Sequence, residues 1–468
     1  MFDLVKFSGN VACVSETGEQ LTYASLHAQT LQLASRLEPH ALMFCLCSNN
    51  VGSLAGYISA TNAGVPVLLL DAHIEPSALQ HLVEVYRPVH VWQPATAVAL
   101  PQFAPAYAQG TYMLYTTQAD EATRRLPADL AVLLTTSGST GSPKLVRLTE
   151  WNLVSNAQSI IGYLHITAAE RPVTSLPMYY SFGLSIVNSH LMVGATLLLT
   201  DASYVQKAFW DFANAQGFTS FSGIPYTFDI LKKLRFWTMK CPTLKTITQA
   251  GGHLRDDLVA FFSENAVQRG IQFYVMYGQT EAAPRMSYLP PQMLPRKLGS
   301  IGIAVPGGTF SLEDEDGRPV TATETVGELV FRGENVCLGY AQNAAELYDG
   351  DDNKGVLHTG DMAYCDADGY YYITGRKKRF VKLFGNRVSL DYVETLLLEH
   401  LRDCACVGND QKLIVYTTDA DCQPARIIDL LVERTKILRT VFQVRIIGSL
   451  PRSASGKILY KELPIDSQ

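Results

Sequence analysis

Along the first 130 residues the apolar positions change period several times. In TYASLHAQTLQLASRL (22–37) they recur at helical spacing. ALMFCLC (41–47) and VPVLLLD (65–71) are short unbroken apolar runs, the pattern of strands buried on both faces. Such alternation predicts helices packed over parallel sheet. It continues through ATLLLTD (195–201), FTSFSGIP (218–225), TLKTITQAGG (243–252) and IQFYVMYGQ (271–279), each running into a Gly- or hydroxyl-rich turn. In open α/β sheets ligands gather beyond the carboxyl ends of the strands, so these turns are expected to converge on one site.

From about residue 301 the texture changes. GGTFSLEDEDGRPV, GELVFRG and HTGDMAYCDADGYYYITG read as short strands with Asp-Gly turns, a hairpin-rich β region. After Gly375 comes RKKRFVKLFGNRVSL, with six basic residues (Arg376, Lys377, Lys378, Arg379, Lys382, Arg387) and no acid. DYVETLLLEHL then reads as helix, KLIVYTT as strand, IIDLLVERTKI as helix and FQVRIIGSLP as strand. The expected fold is α/β: a large N-terminal domain of parallel-rich sheets with a small β subdomain, residues 1–376. A small mobile α+β domain, 377–468, follows it.

Composition narrows the classes. The chain has 468 residues, 47% of them hydrophobic and 18% charged, as in a globular protein of more than one domain. A net charge of -6 argues against a nucleic-acid partner. The start, MFDLVKFSGN, lacks the pattern of a signal peptide. The most apolar span, LAGYISATNAGVPVLLLDA, is broken by Gly, Pro, Asn and Thr and reads as helix, turn and strand, so no membrane insertion is expected. Nine cysteines without metal-site spacing read as reduced thiols, and the expected location is the cytoplasm.

Four stretches carry chemistry. TTSGSTGSPK (135–144) follows the strand-like ADLAVLL and holds six hydroxyls, two glycines and a lysine. Backbone N–H groups in such a turn form a concave nest for anions, and lysine adds a point charge. The spacing is not that of G-x-x-x-x-G-K-[ST], which excludes a Walker-type kinase or GTPase. YGQTE (277–281) offers an aromatic ring, a hydroxyl and a carboxylate at a strand end, suited to magnesium and phosphate. HTGD (358–361) places an acid in a tight turn, where it can accept ribose hydroxyls or cap its own backbone. PRSASGKILYKEL (451–463) holds Lys457 in a run of small residues.

Together with AGGHL and GRKKRFVKLFGNRV, these stretches make the chain resemble the adenylate-forming superfamily of acyl-CoA synthetases, non-ribosomal peptide synthetase adenylation domains and luciferases. The likeness runs in the family's order from about residue 130 to 463, and the first 130 residues share only texture. It implies an ATP-dependent acid–thiol ligase, which joins a carboxylic acid to AMP and passes the acyl group to a thiol. Its cofactors would be ATP and Mg2+, with CoA or phosphopantetheine as acceptor. On this resemblance Thr136, Ser137, Gly138, Ser139, Thr140, Gly141 and Lys144 cradle the outer phosphates. Gly251 and Gly252 border adenine and the acyl pocket, Tyr277 and Gly278 lie at adenine, Thr280 at the α-phosphate, and Glu281 holds Mg2+. Asp361 and Arg376 hold the ribose, and Lys457 bridges the two anions that must meet. Lys378 stands at the hinge, and Lys382, Gly385 and Arg387 face the thiol acceptor.

PMYYSFGLS (177–185) aligns with the opening of the acyl pocket. Amino-acid-activating relatives carry an Asp where this chain has Ser181, which would leave a buried ammonium unpaired. Tyr180 stands where many acyl-CoA ligases have His. The expectation is a small aryl, hydroxy or short-chain acid. The alternatives are an amino-acid adenylation enzyme loading a carrier protein in trans and a non-catalytic nucleotide-binding member of the fold.

Overall fold

In a computed structural model of the chain, the described residues are 1–98, 100–117, 125–135, 144–377, 379–383, 386–409, 411–452 and 458–465. They divide into two units: Met1–Thr309 with Arg332–Leu357, and Phe310–Phe331 with His358–Gln468.

The first unit is built on three sheets. The largest runs in the order Gly339–Ala341, Leu145–Thr149, Leu130–Thr135, Val67–Asp71, Met43–Cys47, His90–Pro94, Tyr112–Thr117, Phe103–Gln109. Its centre is parallel, with Met43 opposite both Val67 and His90, and Val67 opposite Val132. These are the unbroken apolar runs of the sequence, and every residue of Met43–Cys47 is buried. The helix Tyr23–Ala34 is capped by the Thr22 hydroxyl, which accepts from the Ser25 N–H. The helix Val51–Asn62 is capped in the same way by Asn50, and both helices feed the core beneath the sheet. Trp92 completes this core, stacked on Tyr112 with its indole N–H donated to the Gly52 carbonyl at 2.8 Å.

A five-stranded sheet has the order Ser220–Gly223, Thr246–Gln249, Gln272–Gly278, Arg285–Leu289, Ile303–Ala304. The first three strands are parallel and the last two antiparallel. Leu197–Leu199, Val11–Ser15 and Gln20–Thr22 form the third sheet.

The second unit contains a four-stranded sheet that ends on the antiparallel pair Val356–Cys365 and Tyr371–Arg376. It also contains the hairpin Phe380–Leu383/Asn386–Ser389 and a three-stranded sheet, Ala405–Asn409, Lys412–Thr417 and Phe442–Ile446. The helices Leu390–Leu397 and Pro424–Thr435 contribute to the core of this α+β part. Among the described residues no helix is long and apolar enough to cross a membrane. The α/β class, with parallel-rich sheets, a β subdomain and an α+β C-terminal part, is the one the sequence patterns imply.

Candidate active site

The parallel strands of the five-stranded sheet end in register, with Gly223 opposite Gln249 and Gln249 opposite Val275. Three turns therefore leave the sheet at one edge. Past Gln249 the chain turns at Gly251, whose φ is +86°. A Cβ there would lie 2.7 Å from the Tyr180 hydroxyl, so glycine lets that phenol reach the backbone. Past the third strand, a Cβ on Gly278 would lie 1.7 Å from the Pro284 carbonyl oxygen, which admits no side chain. This close approach folds Thr280–Ala282 into a single 3-10 turn.

The helix Ser181–Leu191 starts beside that turn, and the Ser181 and Thr280 hydroxyls are 3.1 Å apart. Two residues assigned separately, one to the acid pocket and one to the α-phosphate, are thus hydrogen-bonded to each other. Burial raises the Tyr180 phenol above its ordinary pKa, with the nearby Arg285 charge opposing.

Glu281 follows. Its Oε1 accepts the Tyr340 hydroxyl at 2.7 Å, and the Tyr340 ring faces the Lys144 ammonium, 3.1 Å from the ring centroid. Tyr340 lies opposite Val146, on a strand that pairs with the strand following the hydroxyl-rich loop. Burial, then the Glu281 charge, raises its phenol, so the hydroxyl stays a donor. The Cys337 N–H donates to the Glu281 carbonyl at 2.9 Å, and burial together with the Glu281 charge pushes the Cys337 thiol up to about 12. Tyr340 was not singled out from the sequence. It links Lys144 to Glu281.

Asparagines hold the turn in place. The helix Glu150–Leu164 opens with a capping box between Thr149 and Asn152. Asn152 also donates to the Glu334 and Val336 carbonyls at 2.7 and 2.8 Å. Asn156 donates to the Arg285 carbonyl at 2.8 Å, and Asn335 donates to the Ala282 and Arg285 carbonyls at 2.6 and 3.0 Å. The Gln249 side chain donates to the Gly252 carbonyl at 2.9 Å, and the Gln279 amide donates to the Tyr277 hydroxyl at 3.3 Å.

The second unit brings Asp361 and Arg376 together. They lie opposite each other in the antiparallel pair, with Arg376 Nε 2.9 Å from Asp361 Oδ1. Asp361 is 3% exposed, and its N–H donates to the Thr359 hydroxyl at 3.0 Å. The basic run turns out to be partly internal. Lys377 pairs with Glu328 at 2.6 Å. Arg379 binds Asp391, Glu394 and the Cys406 carbonyl, and stacks 3.7 Å over Tyr460.

Thr136, Ser137, Gly138, Ser139, Thr140, Gly141, Lys378, Gly385 and Lys457 lie outside the described residues, as do the side chains of Lys382 and Arg387.

The AMP-binding enzyme family model matches residues 4–341. The chain belongs to this family. The match takes in the first 130 residues, where the sequence shows the likeness only as texture. The chain is 29% identical to sulfoacetate–CoA ligase of Cupriavidus necator over 340 residues, 70% of this chain and 65% of that relative. It is 26% identical to feruloyl-CoA synthase of Amycolatopsis sp, over 98% of this chain and 96% of the relative. In fold it is similar to o-succinylbenzoate CoA synthetase of Bacillus subtilis in complex with its acyl-adenylate intermediate. There the TM-score is 0.79 at 22% identity, with 99% of this chain and 98% of the other covered.

Proposed function

We propose that this AMP-binding enzyme activates a small carboxylic acid with ATP, forming an acyl-adenylate and pyrophosphate, and then transfers the acyl group to a thiol of CoA or of a phosphopantetheinyl carrier. The observation that carries this reading is the continuous chain Ser181–Thr280–Glu281–Tyr340–Lys144 at the carboxyl ends of the strands. It sets hydroxyls, a carboxylate and an ammonium in the order an acid, an α-phosphate and the outer phosphates would need.

Glu281 suits magnesium. One oxygen takes the Tyr340 hydroxyl, and the other has no hydrogen-bond donor among the described residues. Those residues hold no cluster of three metal-ligating side chains, so further ligands would come from phosphate oxygens and water, as magnesium prefers. When bound, magnesium would neutralise phosphate charge. Thr280 and Ser181 would orient the α-phosphate and the attacking carboxylate, and Lys144 would hold the leaving pyrophosphate. Asp361 would accept the ribose hydroxyls, steadied by Arg376. Lys457 would offset the repulsion between carboxylate and α-phosphate, where charge concentrates. No covalent enzyme intermediate is needed, and the rate would come from positioning and charge. Residues 377–468 would turn about Lys378 between the half-reactions, withdrawing Lys457 and bringing up Lys382, Gly385 and Arg387 for the thiol.

The test is ATP–pyrophosphate exchange over a panel of aryl, hydroxy, short-chain and α-amino acids, with and without CoA. Exchange that depends on one acid supports adenylation, and faster turnover with CoA supports CoA as acceptor. Nucleotide binding without exchange for any acid, and without any acid-dependent change in melting, would leave only a nucleotide-binding member of the fold.

A further inference from the structure

We propose that Arg285 is a specificity-determining residue, and that the acid this enzyme activates carries a second anionic group, a carboxylate or sulfonate, seated on the Arg285 guanidinium. The proposal rests on the adenylating reading above and names its substrate class.

Arg285 opens the strand Arg285–Leu289, directly beyond the Thr280–Ala282 turn, and is 2% exposed. Its Nη2 donates to the Ser185 hydroxyl at 3.2 Å, Nη1 lies 2.8 Å from the Met276 sulfur, and Nε has no partner. The guanidinium carbon lies 3.9 Å from the Phe182 ring centroid. Among the described residues no carboxylate is within ion-pair distance of it. Burying a charge without a counter-ion costs several kcal/mol, so a bare guanidinium in a core is a poor structural element.

Arg285 lines a cavity of about 30 Å³, space for roughly two waters. Ser185, Ser189, His190, Ser222 and Thr248 line it too. Its carboxylate, Glu170, is occupied elsewhere, by the Thr219 hydroxyl and by Lys245 at 3.6 Å. Burial lowers the pKa of His190 to about 4, so it is neutral and offers Arg285 no charge of either sign. A buried pocket in which hydroxyls and the aliphatic side chains Ile160, Leu164, Ile166 and Ile186 surround one unpaired cation is complementary to an anionic oxygen group on a short carbon chain and hostile to an ammonium.

Distance fixes where that group sits. Ser181, at the start of the helix, touches Thr280, whereas Ser185, one turn further along the same buried helix, touches Arg285. Four residues of helix rise about 6 Å. An acid whose activated carboxylate lies at Ser181 and Thr280 would therefore place its second anion about one helical turn deeper, the reach of a short dicarboxylate or sulfonated acid.

The test is ATP–pyrophosphate exchange with the full chain on matched acids: succinate, glutarate, adipate and 3-sulfopropionate against butyrate, valerate and the monomethyl esters of the diacids. The dianions are expected to exceed their singly charged partners in kcat/KM by about 100-fold, as expected when a buried charge is left unpaired. Whether carboxylate or sulfonate ranks first names the second group. Arg285→Met should bring the ratio close to one and abolish the rise in melting temperature that dianions give the wild type. Without acid, this variant should melt at or above the wild type, because an uncompensated buried charge has gone. Arg285→Lys should keep part of the preference. Equal exchange with mono- and dianions overturns the proposal and leaves the adenylation reading standing, as does an Arg285→Met variant that melts early yet keeps the preference. Arg285-dependent stabilisation by dianions without exchange supports the anion site and refutes the activity. Silence in both assays overturns both.

Discussion

Tyr340→Phe isolates one link of the site. The substitution keeps the ring on which Lys144 rests and removes only the hydroxyl that Glu281 accepts at 2.7 Å. Hydrogen bonds to a charged group contribute about 1.5–3 kcal/mol net. Glu281 is only half-buried, so water takes up part of the loss and the lower end, about 1.5–2 kcal/mol, applies. At 1.36 kcal/mol per factor of ten, that corresponds to about 10–30-fold. The loss concerns orientation of the carboxylate assigned to magnesium. It should therefore appear as a higher magnesium requirement in ATP–pyrophosphate exchange, with the KM for ATP little changed at saturating metal. A double-mutant cycle with Glu281→Gln provides the control: once the carboxylate is gone, Tyr340→Phe should cost almost nothing further. Tyr340→Leu also removes the cation–π contact, worth about 0.5–2 kcal/mol, and should raise the KM for ATP as well. A magnesium titration of Tyr340→Phe that superimposes on wild type, or costs that simply add in the cycle, would refute this link.

Arg147→Met should destabilise the first unit by about 1–3 kcal/mol, read from the urea midpoint, because it removes the donor from the Tyr340, Asp349 and Gly350 carbonyls, whereas water takes up the exposed Asp352 carboxylate. His90 accepts the Glu38 N–H at Nε2, and burial lowers its pKa from 6.5 to about 4. The unfolded chain therefore binds the proton first, so stability falls as pH drops from 6.5 towards 4. The loss is about 2 kcal/mol by pH 5, and urea unfolding of His90→Gln should show a shallower dependence across that window. Lys457→Ala should abolish adenylate formation while sparing thiolation of a supplied acyl-adenylate. Normal pyrophosphate release by this variant would refute its role.

The parts of the molecule legible in the sequence are those set by local pattern. Met43–Cys47 and Val67–Asp71 announce themselves because a strand buried on both faces has few polar positions. Ser181, Thr280 and Glu281 come together because turns at strand ends share an edge. Long-range pairing was less visible. Tyr340 reaches the site on a strand that pairs with residues some 190 positions earlier, a separation no period reveals. Arg379 stands in a basic run that holds no acid, yet Asp391 and Glu394, 12 and 15 residues on, turn it inward. The hairpin of Phe103–Gln109 and Tyr112–Thr117 adds an antiparallel edge to a sheet read as parallel.

Two arginines show why burial alone does not assign a role. Arg147 and Arg285 are both fully buried in the first unit. Arg147 donates to three carbonyls and to Asp352, so its charge is shared among acceptors that the fold supplies, and it tethers the 349–352 loop to the strand Leu145–Thr149. Arg285 has one hydroxyl, one sulfur and one aromatic face for the same charge, and its Nε has no partner. The desolvation cost is alike in the two places, and the compensation is not. A fold that can satisfy a buried guanidinium, and does so at Arg147, leaves one unsatisfied a turn of helix from Ser181 and Thr280. The missing acceptor at Arg285 is then best supplied from outside the chain, by the acid itself.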